Sequence, residues 1–166
     1  TIESTSGGIK LPDATTLKST GELLIVDEKP ANTAGGTFTS GSWQTRTLNT
    51  TRFNTIPGAS LASNQITLPA GTYYVRAVAP TGEPSVWEHK AILYNVTGSA
   101  NLVIGTTGQD APGTSSFVEG QFTLASTSTV QIRHRCMNTV TTNGFGWPAN
   151  MGVVEVYTTV YIKKIE

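Results

Sequence analysis

Ile66-Thr67-Leu68-Pro69-Ala70-Gly71-Thr72-Tyr73-Tyr74-Val75-Arg76-Ala77-Val78-Ala79 sets two strand-forming runs on either side of a Pro-Ala-Gly turn. The second run is rich in β-branched and aromatic residues, which suit a pleated surface. Proline fixes φ and glycine supplies backbone freedom, so the three residues between the runs read as a tight turn. Residues 64–68 and 72–79 are therefore expected to form a hairpin. Strand signals of the same kind stand at 23–26, 37–38 and 43–48 before it. Others follow at 87–96, 101–105, 116–124, 129–137 and 153–165, bounded by turn residues such as Pro80-Thr81-Gly82 and Asn143-Gly144. About ten short strands without helical periodicity indicate an all-β sandwich or barrel.

Composition agrees. Of 166 residues only 13% are charged, and 11 basic residues balance 11 acidic ones. Zero net charge gives no long-range pull toward nucleic acid or anionic membrane. Solubility must come from hydroxyls and amides, and threonine, whose branched Cβ also favours strands, is abundant. The single Cys136 excludes an intrachain disulfide and is expected to pack as a small hydrophobe. No apolar run approaches the roughly 20 residues of a membrane-spanning helix. The chain opens at Thr1 rather than Met, as a piece of a longer protein would.

Two regions are expected. Residues 1–21 are polar and Gly/Ser/Thr-rich, a stalk-like or linking segment unable to fold alone. Residues 22–166 carry the strands and form the head. Alternation assigns faces within it. In 116–124, Val118, Phe122 and Leu124 share a side; in 129–137, Val130, Ile132, His134 and Cys136 oppose Gln131, Arg133 and Arg135. In 153–165, Val154, Val156, Val160 and Ile162 are expected to face the core. Tyr157 and Tyr161 then fall on the outer face with Glu155, either as solvated rings or as a subunit contact, where tyrosine is enriched.

Parity places the loops. If strands alternate up and down, the long connections at 80–86, 106–115 and 138–152 gather at one pole, and the C-terminus lies at the other. A first strand antiparallel to the last puts the N-terminus there too. Loops collected at one end of a scaffold usually serve binding. Their candidates are Phe145 and Trp147 within Asn143–Asn150, Trp87 closing the first loop, and Gln109, Asp110 and Ser115 from the middle one. Aromatic rings stack on sugar C–H faces while amides and hydroxyls bond sugar hydroxyls, so a neutral glycan fits such loops. The plainer alternative is that Phe145 and Trp147 cap the end of the core. Trp43 is expected between the sheets.

The run Ile66–Val75, the strand order and the long final strand resemble the tumour-necrosis-factor/complement-head jelly roll. Gly8-Ile9-Lys10-Leu11-Pro12-Asp13-Ala14-Thr15-Thr16 is similar to an element recurring in the stalks of bacteriophage tail fibres, with Ala14 where glycine commonly follows Pro-Asp. Together with Asn143-Gly144-Phe145-Gly146, these features resemble the C-terminal head of a phage fibre or spike. The resemblance implies a homotrimeric jelly-roll sandwich on the virion, outside the cell, that binds a glycan or protein receptor on a bacterium. It also implies that the N-terminal segment joins the rest of the fibre. Tyr157, Tyr161 and Phe117 are the expected subunit contacts. A trimerising cap or capsid-surface decoration, and a monomeric bacterial carbohydrate-binding module, are the alternatives.

Catalysis has little support. His89 and His134 lack metal-ligand spacing, and neither a cofactor nor a metal is expected. Glu83, Glu88 and Asp110 lie near pole loops, where a glycoside-cleaving carboxylate pair would be needed; they read as solvated surface groups. His134, on an apolar face, reads as a hydrogen-bonded core histidine.

Overall fold

The computed structural model describes residues 3–5, 8–10, 16–17, 20–82, 84–109 and 114–165, with only the backbone of residues 3–17 and of Pro84. The strands are β1 (Glu3–Thr5), β2 (Gly8–Lys10), β3 (Thr16–Leu17), β4 (Gly21–Lys29), β5 (Gln44–Thr45), β6 (Thr50–Asn54), β7 (Ser60–Ala62), β8 (Gln65–Leu68), β9 (Gly71–Pro80), β10 (His89–Asn95), β11 (Ala100–Gly108), β12 (Ser115–Leu124), β13 (Ser128–Cys136) and β14 (Glu155–Lys164). β1–β3 form a small sheet of their own. The head is a sandwich of a five-stranded sheet, β12-β9-β14-β4-β6, and a six-stranded one, β11-β10-β13-β8-β7 with β5 beside β13. No described helix is long and apolar enough to cross a membrane.

The stretch that announces the fold does so in an unexpected way. β8 pairs with β13 and β7, whereas β9 pairs with β12 and β14. Residues 64–79 are therefore a crossover between layers and not a hairpin. Both strands are buried on one face, so Ile66 and Leu68 meet Tyr73 and Val75 through the core rather than across a ladder. The Tyr73 hydroxyl donates to the Pro69 carbonyl at 2.8 Å and pins the corner. Local sequence specifies the turn; which sheet receives each strand depends on distant partners. The true hairpin at this point is β7–β8, whose two-residue turn, Ser63-Asn64, has φ of 51° and 63°, the twist that hairpins favour.

Alternation predicts burial well in β12 and β13, apart from Gln131, which is buried as well. It fails in β14. Val156 pairs with Glu28 and Thr159 with Val26, so Tyr157 and Thr158 together oppose Asp27 in a β-bulge. The extra residue shifts the phase. Glu155 and Tyr157 are buried before the bulge, Thr158, Val160 and Ile162 after it, while Val154 and Val156 are exposed. Tyr157 and Tyr161 thus lie on opposite faces.

Parity places the loops correctly. Lys164 pairs with Gly21, Leu124 with Gly71 and Ser128 with Leu68 at one end. Pro80 pairs with Ser115, His89 with Gly108 and Cys136, and Glu155 with Lys29 at the other. This far end, the distal pole, collects the connections 81–88, 109–114 and 137–154, together with a fourth, 30–43.

Candidate functional site

Three of the four distal connections, 30–43, 81–88 and 137–154, share a small second core with the end of β13. Phe38, Val86, Cys136, Val140 and Phe145 are buried together, apart from the main sandwich. Phe38 and Phe145 lie 4.5 Å apart between ring centroids. The Phe38 and Val140 backbones pair, and Gly35 and Gly36 donate to the Gly146 and Thr142 carbonyls at 2.9 and 2.8 Å. Gly146 is required where it stands. A Cβ there would enter the Tyr157 ring, and one on Gly82 would strike the Asn143 carbonyl and the Trp147 amide. The loops are thus fastened to one another.

Beneath this cluster lies a buried polar network. Arg46 is fully buried, its Nε donating to Thr158 Oγ1 at 2.6 Å and one terminal nitrogen to the Phe145 carbonyl at 2.9 Å. Its guanidinium lies 4.1 Å from the Phe145 ring centroid, a cation–π contact. Burial lowers its pKa to about 9, against the pull of Asp27, so it stays charged at neutral pH. Burial raises the Asp27 carboxyl, opposed by Lys29 at 3.2 Å and then by Arg46. Nδ1 of His89 meets Nε2 of His134 at 2.9 Å, and Nε2 of His89 meets Thr114 Oγ1 at 2.9 Å. Burial first, and Arg46 second, push His89 down to about 4 and His134 well below the ordinary histidine range. Cys136 is buried, its thiol pushed up to about 11.

Glu155 fastens the loops from the side. Its carboxylate accepts the backbone N–H groups of Asn32, Ala149 and Asn150 at 3.0–3.2 Å. Those from Ala149 and Asn150 chiefly hold its pKa below the usual value. The Tyr157 hydroxyl donates to the Thr33 carbonyl at 2.7 Å, and burial raises it to about 12. Tyr157 and Thr158 are the bulged residues of β14, and Glu155 lies on the inward face just before them. Sequence alternation had placed Glu155 and Tyr157 outside, so this network was missed.

The expected binding residues divide. Phe145 is part of the second core, the capping alternative, and offers no free platform. Trp147 and Trp87 are exposed, at 60% and 51%, and their loops touch through Gly82. Asn143 is half-buried within its turn, its carbonyl accepting the Gly146 amide. Asn150 is exposed. Gln109 is exposed beside Gly108, and Ser115 is half-buried opposite Pro80. Asp110 and Glu83 lie outside the described residues. Of the subunit-contact candidates, Tyr157 points into its own chain. Phe117 and Tyr161 share the outer face of the five-stranded sheet. Register sets Glu119, Arg76, Tyr161, Leu24 and Phe53 in one row across it, with Phe117 and Val78 in a neighbouring row. Phe117 and Phe53 are 48% and 41% exposed.

Sequence reasoning did not find the cavity on the opposite layer. It holds about 260 Å³ where the six-stranded sheet meets the distal loops. Lys90 pairs with Thr107 on one side and Arg135 on the other. Gln44 faces His134, so Trp43 falls beside Arg135 and completes a cross-strand row. Glu88 and Met137 rim the cavity; His89 and Cys136 form its floor. Trp43, expected between the sheets, is instead 37% exposed on its wall.

No protein-family model matches the chain, and no curated protein does. Its fold is similar to that of murine APRIL at pH 8.5, with TM-score 0.60 and 10% identity over 89% of this chain and 100% of that one. The pH 5.0 structure of murine APRIL gives 0.57 and 9%, with the same coverage. The globular domain of zebrafish complement 1qA gives 0.50 and 14%, over 90% of this chain and 98% of that one. At such identities the likeness establishes the fold, an all-β jelly-roll sandwich of the tumour-necrosis-factor/complement-head type.

Proposed function

We propose that this chain is the receptor-binding head of a phage fibre or spike, a homotrimer that attaches the virion to a bacterial surface structure through its distal pole. Residues 1–21 would join it to the fibre and 22–166 form the head. The observation that carries the reading is polarity: Gly21 and Lys164 pair at one end, and four long connections meet at the other. A head held by its first strand therefore presents those connections outward. The second core, Arg46 and Glu155 hold three of them, 30–43, 81–88 and 137–154, in one arrangement, which reduces the ordering cost of binding. Trp87 and Trp147 expose flat rings of the kind that stack on sugars. Phe117, Tyr161, Leu24 and Phe53 give the five-stranded sheet an apolar outer face suited to a second copy of the chain.

A fluorescently labelled head applied to a panel of bacterial strains tests this. Saturable staining of particular strains, reduced by Trp87→Ala with Trp147→Ala, is the expected result. A folded head that stains none of the strains a parent phage infects would refute attachment and favour a trimerising cap.

A further inference from the structure

We infer that the cavity between Trp43 and Lys90 is a subsite for a carboxylated sugar, such as a hexuronic acid residue of a surface polysaccharide. This rests on the attachment reading and names the ligand class. Lys90 and Arg135 stand directly opposite each other on adjacent antiparallel strands. Like charges in that relation are destabilising. Neither side chain makes an ion pair or hydrogen bond with another described residue, and neither does that of Glu88. Two unpaired cations about 5 Å apart at their Cα atoms suit the two oxygens of one carboxylate, which would relieve the repulsion.

The surrounding residues narrow the ligand. Trp43, 37% exposed, closes one end of the row, and Met137, 61% exposed, adds an apolar rim. Glu88 leaves a local charge of plus one, matched to a monoanion, and its oxygens can accept bonds from sugar hydroxyls. A phosphate dianion would meet Glu88 at a cost. The volume, about 260 Å³, is just under the roughly 300 Å³ at which small-ligand pockets usually begin. It fits one or two sugar rings. The cavity opens on the layer opposite the face that carries Phe117 and Tyr161, so self-association through that face leaves it free.

The test uses the whole chain, titrated at fixed ionic strength with an aldobiouronic acid and with its carboxyl-reduced, neutral counterpart. The ¹⁵N-labelled indole N–H resonances report the location, each assigned by a Trp→Phe variant. The acid should bind at least tenfold more tightly than the neutral disaccharide. It should move the Trp43 resonance and leave those of Trp87 and Trp147 in place. Lys90→Gln with Arg135→Gln should weaken binding at least tenfold without lowering the unfolding midpoint, because it removes a like-charge pair. Equal affinity for both sugars, no binding at 10 mM, or shifts confined to Trp87 and Trp147 would each overturn the inference. So would sodium sulfate that fully reproduces the Trp43 shift, since the site would then read any anion. Cell staining without uronate binding refutes this subsite and leaves attachment standing. Uronate binding by a head that stains no cell does the reverse.

Discussion

Mild acid should loosen the distal pole through its two histidines. His89 and His134 are 3% and 0% exposed, their ring nitrogens share one 2.9 Å contact, and Arg46 lies close enough to repel a second positive charge. Both are therefore neutral in the folded chain at pH 7, with pKa values below the ordinary 6.5. Above that pH neither state takes up a proton at these sites, and their neutral packing contributes fully. As pH falls through 6.5, the unfolded chain binds protons that the folded chain refuses, so stability is lost until the folded pKa is reached. For His89 that window runs from about 6.5 to about 4, worth ~3 kcal/mol in all and ~2 kcal/mol by pH 5. His134 adds to the loss with the same sign. Domains of this size hold roughly 5–15 kcal/mol, so the effect is large. The chain has only these two histidines, and Asp27, whose carboxyl burial raises, acts with the opposite sign as pH falls, so the difference in slope between the wild type and a variant without the pair isolates the histidines. Urea unfolding at fixed protein concentration, at pH 7.5, 6.5, 5.75 and 5, should show a falling midpoint. His89→Gln with His134→Phe should start lower and fall less. A flat wild-type midpoint across that interval, or an equal slope in the double variant, would refute the account of the buried pair.

Three further outcomes separate structure from function at the pole. Phe145→Ala empties the second core and should cost about 3–5 kcal/mol, whereas Trp147→Ala should change stability by no more than ~0.5 kcal/mol yet reduce cell staining; urea melts and staining of the two variants decide it. Arg46→Ala leaves Asp27 buried with Lys29 as its remaining counter-charge and should lower stability by about 3–5 kcal/mol, read from the same melts. Glu155→Gln removes the charge that holds the Ala149 and Asn150 amides; their hydrogen exchange should quicken while amides of β9 and β13 keep wild-type protection.

Fold class was legible because it depends on local pattern. Period-two burial in β12 and β13, turn residues between runs, and the parity of long connections survive whatever the strands pair with. What was not legible depends on partners. The turn at Pro69–Gly71 says that the chain reverses, but hydrogen bonds to β12 and β14 decide that β9 joins the other sheet. The bulge at Tyr157 and Thr158 inverts half of β14, and no residue type there announces it. Arg46, in an otherwise polar stretch, carries no mark of complete burial; only the fold brings Phe145, Thr158 and Asp27 around it. The cavity was hidden for the same reason. Trp43, Lys90, Thr107 and Arg135 come from four separate segments, and their alignment is a matter of register. Trp87 and Trp147, by contrast, sit in loops rich in turn residues, and their exposure follows from that.

The reading of this chain as a fibre head depends on self-association, and its mass in solution tests that most directly. Light scattering over a hundredfold dilution should give three times the 17.5 kDa of one chain, falling to one chain when Phe117→Asp and Tyr161→Asp are combined. A wild-type particle of 17.5 kDa at every concentration would contradict the account and leave a monomeric binding module in its place.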